Sequence, residues 1–415
     1  MSAIDQVDPE VAAIIRHEED RQQHVLEMIP SENYASAAVM EAVGSVLTNK
    51  YAEGYPGARY YNGNEFVDDV ENVARDRAKA LFGVDHANVQ PHSGTQANMA
   101  VYLGLIKPGD TVMGLKLDAG GHLTHGSPVS ASGMLYNFVS YGVDREAHLV
   151  DYGEMLSVAK EHRPKIIVVG ATAYPRLWDF KRAREIADEV GAVLMADMAH
   201  ISGLVAGGAH PSPAGFAQIM TTSTHKTLRG PRGGMVLCDA DYRRQIDRGV
   251  FPGSQGGPMM HVVAGKAVML KEAATPEFRQ HAQQVVANAK ALATVLLDAG
   301  LTLISGGTDN HLVLVDVRPL GVNGVQAANA LEAAGIVVNS NPIPFDTLPP
   351  REGGGIRFGT PAITSRGLGV EDMKVIGSAM ARVLQAPNDT ALLASVKAEV
   401  QALCAAHPAP GIPTR

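Results

Sequence analysis

Short apolar runs alternate with amphipathic helical stretches through the middle of the chain. Several of the runs lack the period-two alternation of a half-buried strand, as expected for strands that are covered on both faces. The runs are Thr111–Leu115, Lys165–Gly170, Ala192–Ala196, Gln218–Thr222 and Gly234–Cys238. The stretch Phe180–Val190 lies between two of them and is predicted to be a crossover helix. This alternation predicts an α/β fold with a mostly parallel sheet.

The two ends of the chain have a different pattern. Residues 1–50 predict an N-terminal arm with helices over Val7–Met28 and Ser36–Leu47. Beyond residue 275, the predicted elements are the helix Pro276–Ala299, the strands His311–Val317 and Ile336–Asn339, and the helices Met373–Leu384 and Thr390–Ala405. The proline-containing tail His407–Arg415 is expected to be poorly ordered. We therefore predict an arm (1–50), a large domain (51–275) and a smaller C-terminal α+β domain (276–415).

Composition narrows the class of protein. Of 415 residues, 46% are hydrophobic and 19% are charged, which is typical of a globular protein with a sizeable core. The net charge of −8 gives no electrostatic basis for binding nucleic acid or an anionic membrane. The polar, acidic start lacks the pattern of a signal peptide, and no apolar run is long enough to span a membrane. With two cysteines and no disulfide framework, we expect a cytoplasmic protein.

Asp197 and Lys226 follow neighbouring predicted strands. Because the carboxyl ends of parallel strands meet at one edge of a sheet, both side chains are expected there, where ligand sites of α/β proteins form. A buried carboxylate at that edge can keep a pyridinium nitrogen protonated, and a lysine can form a Schiff base with an aldehyde. Taken singly, Asp197 could be a helix cap and Lys226 a surface charge. Their spacing of one βα unit favours a pyridoxal-phosphate site.

Three further segments carry candidate chemistry. Ser93, Gly94 and Thr95 precede the helical stretch Ala97–Ile106 and predict an anion site at a helix N-terminus, although an ordinary helix cap has the same pattern. His122 could stack on a flat cofactor or be an ordinary loop histidine.

A zinc site formed by His122, His125 and His200 is an alternative. The spacing of these histidines does not favour it, because it does not place the three side chains on one helix face. We predict no metal site.

Arg357 follows a glycine-rich loop. It could hold a carboxylate through two parallel hydrogen bonds, or it could lie on the surface.

Six segments in this order resemble the serine hydroxymethyltransferase family. They are Tyr51-Ala-Glu-Gly-Tyr-Pro-Gly, Gln90-Pro-His-Ser-Gly, Gly120-Gly-His-Leu-Thr-His-Gly, Asp197-Met-Ala-His, His225-Lys-Thr-Leu-Arg-Gly-Pro-Arg-Gly-Gly and Gln255-Gly-Gly-Pro. The resemblance extends from about residue 20 to residue 400. It implies a fold-type I pyridoxal-phosphate enzyme of amino-acid and one-carbon metabolism.

The resemblance also implies residue roles. Lys226 would carry pyridoxal 5'-phosphate covalently, with Asp197 on its pyridine nitrogen and His122 stacked on its ring. Its phosphate would be held by Ser93, Gly94 and Thr95, together with Tyr51, Gly256 and Gly257 of a neighbouring subunit. Its ring hydroxyl would contact Thr172 and His200.

For the substrate, the resemblance assigns the carboxylate to Ser31, Tyr61 and Arg357. Glu53 would handle the hydroxyl proton, and His225 and Arg232 would support the lysine. A homodimer is then the minimal active unit, with a tetramer left open.

Departures from the family pattern concentrate near the expected pterin site of tetrahydrofolate. Ala119 replaces a usual histidine, Ser340 a usual lysine, and Arg351 a usual phenylalanine in a loop with three glycines, which removes apolar contact and stiffness. Tetrahydrofolate as co-substrate is therefore left open, since loops also drift without consequence. Three hypotheses remain: a folate-dependent enzyme acting on serine and glycine, a relative or folate-independent aldolase acting on α-methylserine and alanine, and a non-catalytic pyridoxal-phosphate-binding protein.

Overall fold

The computed structural model describes residues 2–412. Its helices are α1 (Ala3–Val7), α2 (Pro9–His24), α3 (Ala37–Val43), α4 (Glu65–Phe82), α5 (Gly94–Leu105), α6 (Ala131–Leu135), α7 (Tyr152–His162), α8 (Phe180–Val190), α9 (Ser202–Ala206), α10 (Arg243–Arg248), α11 (Met260–Ala273), α12 (Pro276–Asp298), α13 (Gly324–Ala333), α14 (Pro361–Ser365), α15 (Val370–Gln385) and α16 (Thr390–Ala406). In this part of the chain, no helix is long and apolar enough to cross a membrane.

The strands form two larger sheets and two short pairs. They are β1 (Leu26–Glu27), β2 (Gly54–Tyr55), β3 (Ala58–Arg59), β4 (His86–Asn88), β5 (Thr111–Leu115), β6 (Asn137–Tyr141), β7 (Ile166–Val169), β8 (Val193–Asp197), β9 (Ile219–Ser223), β10 (Gly234–Cys238), β11 (Thr302–Leu303), β12 (Leu312–Asp316), β13 (Ile336–Val337), β14 (Asn339–Asn341) and β15 (Gly355–Gly359).

The seven-stranded sheet has the order β4-β10-β9-β8-β7-β5-β6. Strands β5 to β9 run parallel, whereas β10 is antiparallel to both of its neighbours. Asp197, the last residue of β8, lies opposite Thr221 of β9. The sheet is thus mixed but mostly parallel, and this confirms the predicted α/β class.

Helices cover both faces of this sheet, which explains the missing alternation in its strands. In β7, Ile166 and Val168 belong to the core beside α5, whereas Ile167 and Val169 belong to the larger core under α4, α8 and α11. All four side chains are fully buried. Burial on both faces requires an apolar residue at every position, so the sequence shows a continuous apolar run.

The second sheet is antiparallel, with the order β11-β12-β15-β14. Its apolar core is separate and includes residues of α12, α13, α15 and α16. Leu26 and Met28, although distant in sequence, are also part of this core. The division of the chain at residues 50 and 275 stays a prediction.

Central elements were predicted more accurately than those near the ends. Thr111–Leu115, Gly234–Cys238 and Phe180–Val190 have the predicted bounds. The helix predicted over Val7–Met28 was wrong at its end: it stops at His24, because Leu26 and Glu27 pair with β13. The single strand predicted over Ile336–Asn339 is two strands, β13 and β14, which belong to different sheets.

The tail prediction was also wrong for the residues that are described. Ala409 is 3% exposed, and its backbone N–H donates to the side chain of Gln23. The Gln23 side chain in turn donates to the carbonyl oxygen of Ile412. These contacts fasten the tail to α2, whereas residues 413–415 lie outside the described residues.

Candidate active site

A cavity of about 320 Å³ opens at the carboxyl edge of the seven-stranded sheet. Its lining contains most of the predicted site residues and several others. The lining residues are Ser31, Glu32, Ser93, Gly94, Thr95, Asn98, His122, Ala171, Thr172, Asp197, Ala199, His200, Ser223, His225, Lys226, Arg232 and Arg357. Segments separated by more than 300 residues in sequence therefore meet at one edge of the sheet.

Asp197 is a buried carboxylate with a full set of donors. One oxygen accepts from the Asn98 amide at 2.8 Å and from Nε2 of His125 at 3.1 Å, and the other accepts from the backbone N–H of Ala199. Burial opposes ionisation, but the hydrogen bonds that His125 and Asn98 donate help to hold the pKa of Asp197 below its ordinary value. The carboxylate is thus fixed as an anion that can face a cationic group.

His125 has a defined proton position in this network. Its Nδ1 accepts from the backbone N–H of His122 at 3.2 Å, and a backbone N–H can only donate. The ring proton is therefore on Nε2, which faces Asp197. From sequence, His125 was a candidate only as a zinc ligand.

Two lysines, the buried Lys266 and the partly buried Lys226, lie near this edge, and their environments differ. Lys266 is 1% exposed and donates to three carbonyl oxygens, those of Val89 at 2.7 Å, Pro91 at 2.9 Å and Gly234 at 2.8 Å. All three of its N–H groups are thus used. No hydrogen bond to another described residue holds the amine of Lys226, which lines the cavity.

The environment of Lys226 increases the fraction of neutral amine relative to a free lysine. Burial lowers the pKa of Lys226 to about 8. The charges of Arg357 and Arg232 also lower this pKa, whereas the charge of Asp197 raises it. A neutral amine is the nucleophilic form. Of the two lysines, Lys226 therefore has an amine that is available to a ligand, whereas Lys266 joins β10 to the segment that precedes Ser93.

The N-terminus of α5 forms the opposite wall of the cavity. Ser93 is its N-cap, and the hydroxyl accepts from the backbone N–H of Gln96 at 3.1 Å. Gly94 and Thr95 follow, and at these positions the N–H groups have no acceptor within the helix. Gly94 lies against Ser223, where a Cβ would be 3.4 Å from the serine Cβ. Free N–H groups and the helix dipole make this end suitable for a phosphate.

His122 is held in place by Thr124. The hydroxyl of Thr124 lies 2.7 Å from Nδ1 of His122, and the backbone N–H of Thr124 donates to the same nitrogen at 3.2 Å. Burial lowers the pKa of His122 to about 4, despite the nearby charge of Asp197. A neutral imidazole with a fixed ring plane is suited to stacking on an aromatic cofactor.

The structure groups the histidines differently from the zinc hypothesis. Ligand atoms of His122, His125 and Asp197 lie within 4.8 Å of one another. His200 is outside this group and is paired with His311, its Nδ1 lying 3.2 Å from the Nε2 of His311. The His122–His125–His200 trio is thus not assembled, and Asp197 and His125 already satisfy each other.

Arg357 lies on β15 and brings the second sheet into the site. It is 7% exposed, and it donates to the side chain of Asn339 at 3.1 Å and to the carbonyl oxygen of Thr172 at 2.7 Å. Burial lowers its pKa to about 10, so it remains cationic at neutral pH. Its remaining N–H groups are available to a carboxylate beside Ser31.

Five predicted residues lie outside this cavity lining and form a group of their own. The hydroxyl of Tyr51 donates to Glu53 at 3.0 Å, and its ring packs edge-on against Tyr61 at 5.1 Å. A Cβ on Gly256 would be 3.1 Å from Glu53, and one on Gly257 would be 3.1 Å from the ring of Tyr51. Tyr51 is 53% exposed and Tyr61 is 49% exposed. Within one chain, this group is on the surface.

Three residues around the site were missed by the sequence analysis. Asn98, His311 and Glu32 belong to none of the motifs used above. They come near the other site residues only when the chain is folded. Asn98 could have been found from its position one helical turn after the predicted phosphate cap, where it points along the same face as Gly94.

The cavity fits pyridoxal phosphate on the chemistry of its lining. A buried anion, a free amine, a neutral imidazole and a helix N-terminus surround one space, and they match the cofactor's ring nitrogen, aldehyde, ring face and phosphate. The family model for serine hydroxymethyltransferase matches residues 4–380. The chain therefore belongs to the serine hydroxymethyltransferase family, an enzyme family of pyridoxal-phosphate-dependent transferases of one-carbon metabolism.

Proposed function

We propose that this enzyme cleaves and forms the Cα–Cβ bond of serine or α-methylserine, yielding glycine or alanine and a one-carbon unit. We also propose that Lys226 is the lysine that carries pyridoxal phosphate. The observation that carries both is the free amine of Lys226 beside the anionic Asp197, at the ends of neighbouring parallel strands.

Each residue has a task that follows from its environment. When bound, the cofactor supplies an electron sink for the electrons of the broken Cα–Cβ bond. Asp197, held as an anion, would keep a proton on the ring nitrogen. Lys226 would provide the amine for the covalent link to the cofactor. Arg357 binds the substrate carboxylate, and Glu53 accepts the proton of the substrate hydroxyl.

Glu53 fulfils its task only if a second chain contributes it. Tyr51 and Tyr61 are exposed and Glu53 is half-buried, and all three are outside the cavity lining of their own chain. Exposed apolar side chains are also present nearby, among them Tyr60 at 74% and Phe66 at 73%. We propose a homodimer in which this group completes the partner's cavity, since a two-fold interface exchanges equivalent surfaces. A tetramer is left open.

A folate-independent aldolase is the second candidate, favoured by Ala119, Ser340 and Arg351. Activity with serine and with α-methylserine, each with and without tetrahydrofolate, separates the candidates. Strong stimulation of serine cleavage by micromolar folate would select the folate-dependent transferase. Equal rates without folate would select the aldolase, and no turnover of either substrate by the loaded protein would select a non-catalytic binding protein.

The assignment of Lys226 has a direct test. The loaded protein is reduced with borohydride and digested, and the peptide that carries the cofactor is identified by mass spectrometry. We expect the label on Lys226, and its loss in Lys226→Ala with the circular dichroism spectrum unchanged. Label on Lys266 would overturn the assignment. The matched control is Lys271→Ala, which removes an exposed lysine of α11 and should leave the label in place.

A further inference from the structure

Lys266 is a buried cation that is stabilised by carbonyl oxygens rather than by a carboxylate. It lies on α11 and is 1% exposed. The charge of Glu71 acts on it only from a distance, because Glu71 forms its own ion pair with Arg59 at 2.7 Å. A buried charge is costly unless hydrogen bonds stabilise it. The three carbonyl oxygens around Lys266 therefore have to provide that stabilisation.

Those three oxygens belong to two pieces of backbone. Val89 and Pro91, whose oxygens are 2.7 and 2.9 Å from Nζ, lie in the segment that follows β4, whereas Gly234, at 2.8 Å, is the first residue of β10. The backbone N–H of Gly234 also donates to Pro91 at 3.0 Å. A Cβ on Gly234 would be 2.3 Å from the carbonyl oxygen of Ser93. Lys266 thus ties this segment to the start of β10 at a point of very close approach.

Side chains hold the rest of the segment as well. The backbone N–H of Gln90 donates to the side chain of Asn88 at 3.1 Å. The side chain of Gln255 donates to the carbonyl oxygen of Gln90 at 2.8 Å and accepts from the backbone N–H of His92 at 3.2 Å. The segment lies between β4 and α5 and belongs to neither. Its course therefore depends on these two side chains and on Lys266.

The segment ends at Ser93, the N-cap of α5. The first N–H groups of this helix have no acceptor within it, and they bind an anion only if the helix N-terminus faces the cavity. We propose that Lys266 is a positioning residue, which holds Pro91 against Gly234 and so fixes the N-terminus of α5 in the geometry that binds a phosphate group. The identification of this group as the phosphate of the cofactor rests on the proposed function.

A comparison of pyridoxal phosphate with pyridoxal isolates the phosphate, because the two molecules share the ring and the aldehyde. In Lys266→Met, the side chain keeps a similar length but loses its three donors. Titration of the apoprotein should show affinity for pyridoxal phosphate weakened about tenfold, the loss expected for one hydrogen bond to a charged group. Affinity for pyridoxal should be unchanged. The phosphorus NMR signal of the bound cofactor should move toward that of the free cofactor.

The matched control is Lys271→Met, which removes an exposed lysine from the same helix with the same change in charge. It should leave both affinities and the phosphorus signal unchanged. Equal weakening of both ligands in Lys266→Met would indicate a general structural role and overturn the proposal, as would an unchanged affinity for pyridoxal phosphate. If circular dichroism shows that Lys266→Met does not fold, Lys266→Gln, which keeps two donors, is measured in its place and judged by the same outcomes.

Activity separates this proposal from the proposed function. A selective loss of affinity for pyridoxal phosphate in Lys266→Met, in a protein whose wild type cleaves neither serine nor α-methylserine, would support the role of Lys266 and contradict the proposed function. A wild type that cleaves either substrate, with a Lys266→Met variant that binds pyridoxal phosphate normally, would contradict the role of Lys266 alone.

Discussion

At the scale of single residues, the same side chain has different roles according to its partners. Lys226 and Lys266 are both largely buried near one edge of the sheet, but Lys266 is saturated by three carbonyl oxygens. Burial lowers the pKa of Lys266 to about 7, which is even further than for Lys226. A lowered pKa alone would therefore not favour Lys226 over Lys266. The free hydrogen-bonding capacity and the open cavity beside Lys226 separate the two.

The pH dependence of cofactor attachment depends on the pKa of Lys226. Only the neutral amine reacts, and burial moves its pKa down to about 8 from the ordinary value of 10.5. The rate of covalent attachment to apoprotein should thus rise with pH through a midpoint near 8. Stopped-flow absorbance measures this rate, with Lys226→Ala as the variant that should show none. A rate that keeps rising to pH 10, as for free lysine, would contradict the low pKa.

Arg357 should control substrate affinity more than cofactor affinity. In Arg357→Ala, the clamp on the substrate carboxylate is lost at a cost of about 2–5 kcal/mol, so KM should rise by orders of magnitude. Arg357→Lys should recover little, since an ammonium cannot make two parallel hydrogen bonds. Steady-state kinetics gives KM, and titration gives cofactor affinity, which should be nearly unchanged. A normal KM in the alanine variant would show that another group binds the carboxylate.

At the scale of elements, the loop between β14 and β15 differs from expectation. The run of three glycines at its end and at the start of β15, together with the loss of a phenylalanine, suggested reduced stiffness. Instead, the buried carboxylate of Asp346 accepts from the backbone N–H groups of Ile343 at 3.2 Å, Leu348 at 3.0 Å and Gly354 at 2.6 Å. A Cβ on Gly354 would come within 2.7 Å of this carboxylate, so glycine is required there. The loop is therefore organised by a polar centre.

Removal of that centre should loosen the loop locally. In Asp346→Ala, three N–H groups lose their acceptor at about 1 kcal/mol each, and their amide hydrogen exchange should accelerate. The core of the seven-stranded sheet should keep its protection. Hydrogen-exchange mass spectrometry resolves the two regions. Glu352→Ala, in the same loop and without a side-chain hydrogen bond in the described structure, is the control, and equal exchange in both variants would refute the role of Asp346.

At the scale of the whole molecule, the predicted site residues are divided between the cavity and a group outside its lining. The cavity contains Lys226, Asp197 and Arg357, whereas the half-buried Glu53 lies with the exposed Tyr51 and Tyr61. In the proposed function Glu53 acts on the substrate hydroxyl, and this group is outside the cavity lining of its own chain. This division is the reason for the proposed homodimer.

Complementation between two inactive variants tests the division. Lys226→Ala and Glu53→Gln should each be inactive or nearly so. When they are mixed, dissociated and reassembled, a heterodimer contains one site with both native residues, so about a quarter of the wild-type activity should return. The control is Lys226→Ala mixed with Asp197→Asn, because both of these residues line the cavity of a single chain.

The outcomes of the two mixtures are distinct. Every cavity in the control mixture contains one defective residue, so its activity should stay low. Recovery in the Glu53 mixture but not in the Asp197 mixture supports sharing between chains. No recovery in the Glu53 mixture, with heterodimers demonstrated by mass spectrometry, would place Glu53 in the site of its own chain.

The sequence by itself determined the parts of the protein that depend on local pattern. Continuous apolar runs identified β5, β7, β8, β9 and β10, because strands buried on both faces contain few polar residues. Asp197 and Lys226 were singled out because each comes after such a strand, and the carboxyl ends of parallel strands meet at one edge of the sheet. The family resemblance then extended the set to residues such as His200 and Thr172, which no local pattern would have identified.

Only the tertiary structure decided how distant segments are partnered. The pairing of Leu26 with Ile336, the donors on Asp197 and the contact of His200 with His311 join residues far apart in sequence. Hydrogen bonding and burial depend on these three-dimensional neighbours. The sequence could therefore propose which residues act, Lys226 among them, but the different hydrogen bonding of Lys226 and Lys266, and the tautomer of His125, required the folded chain.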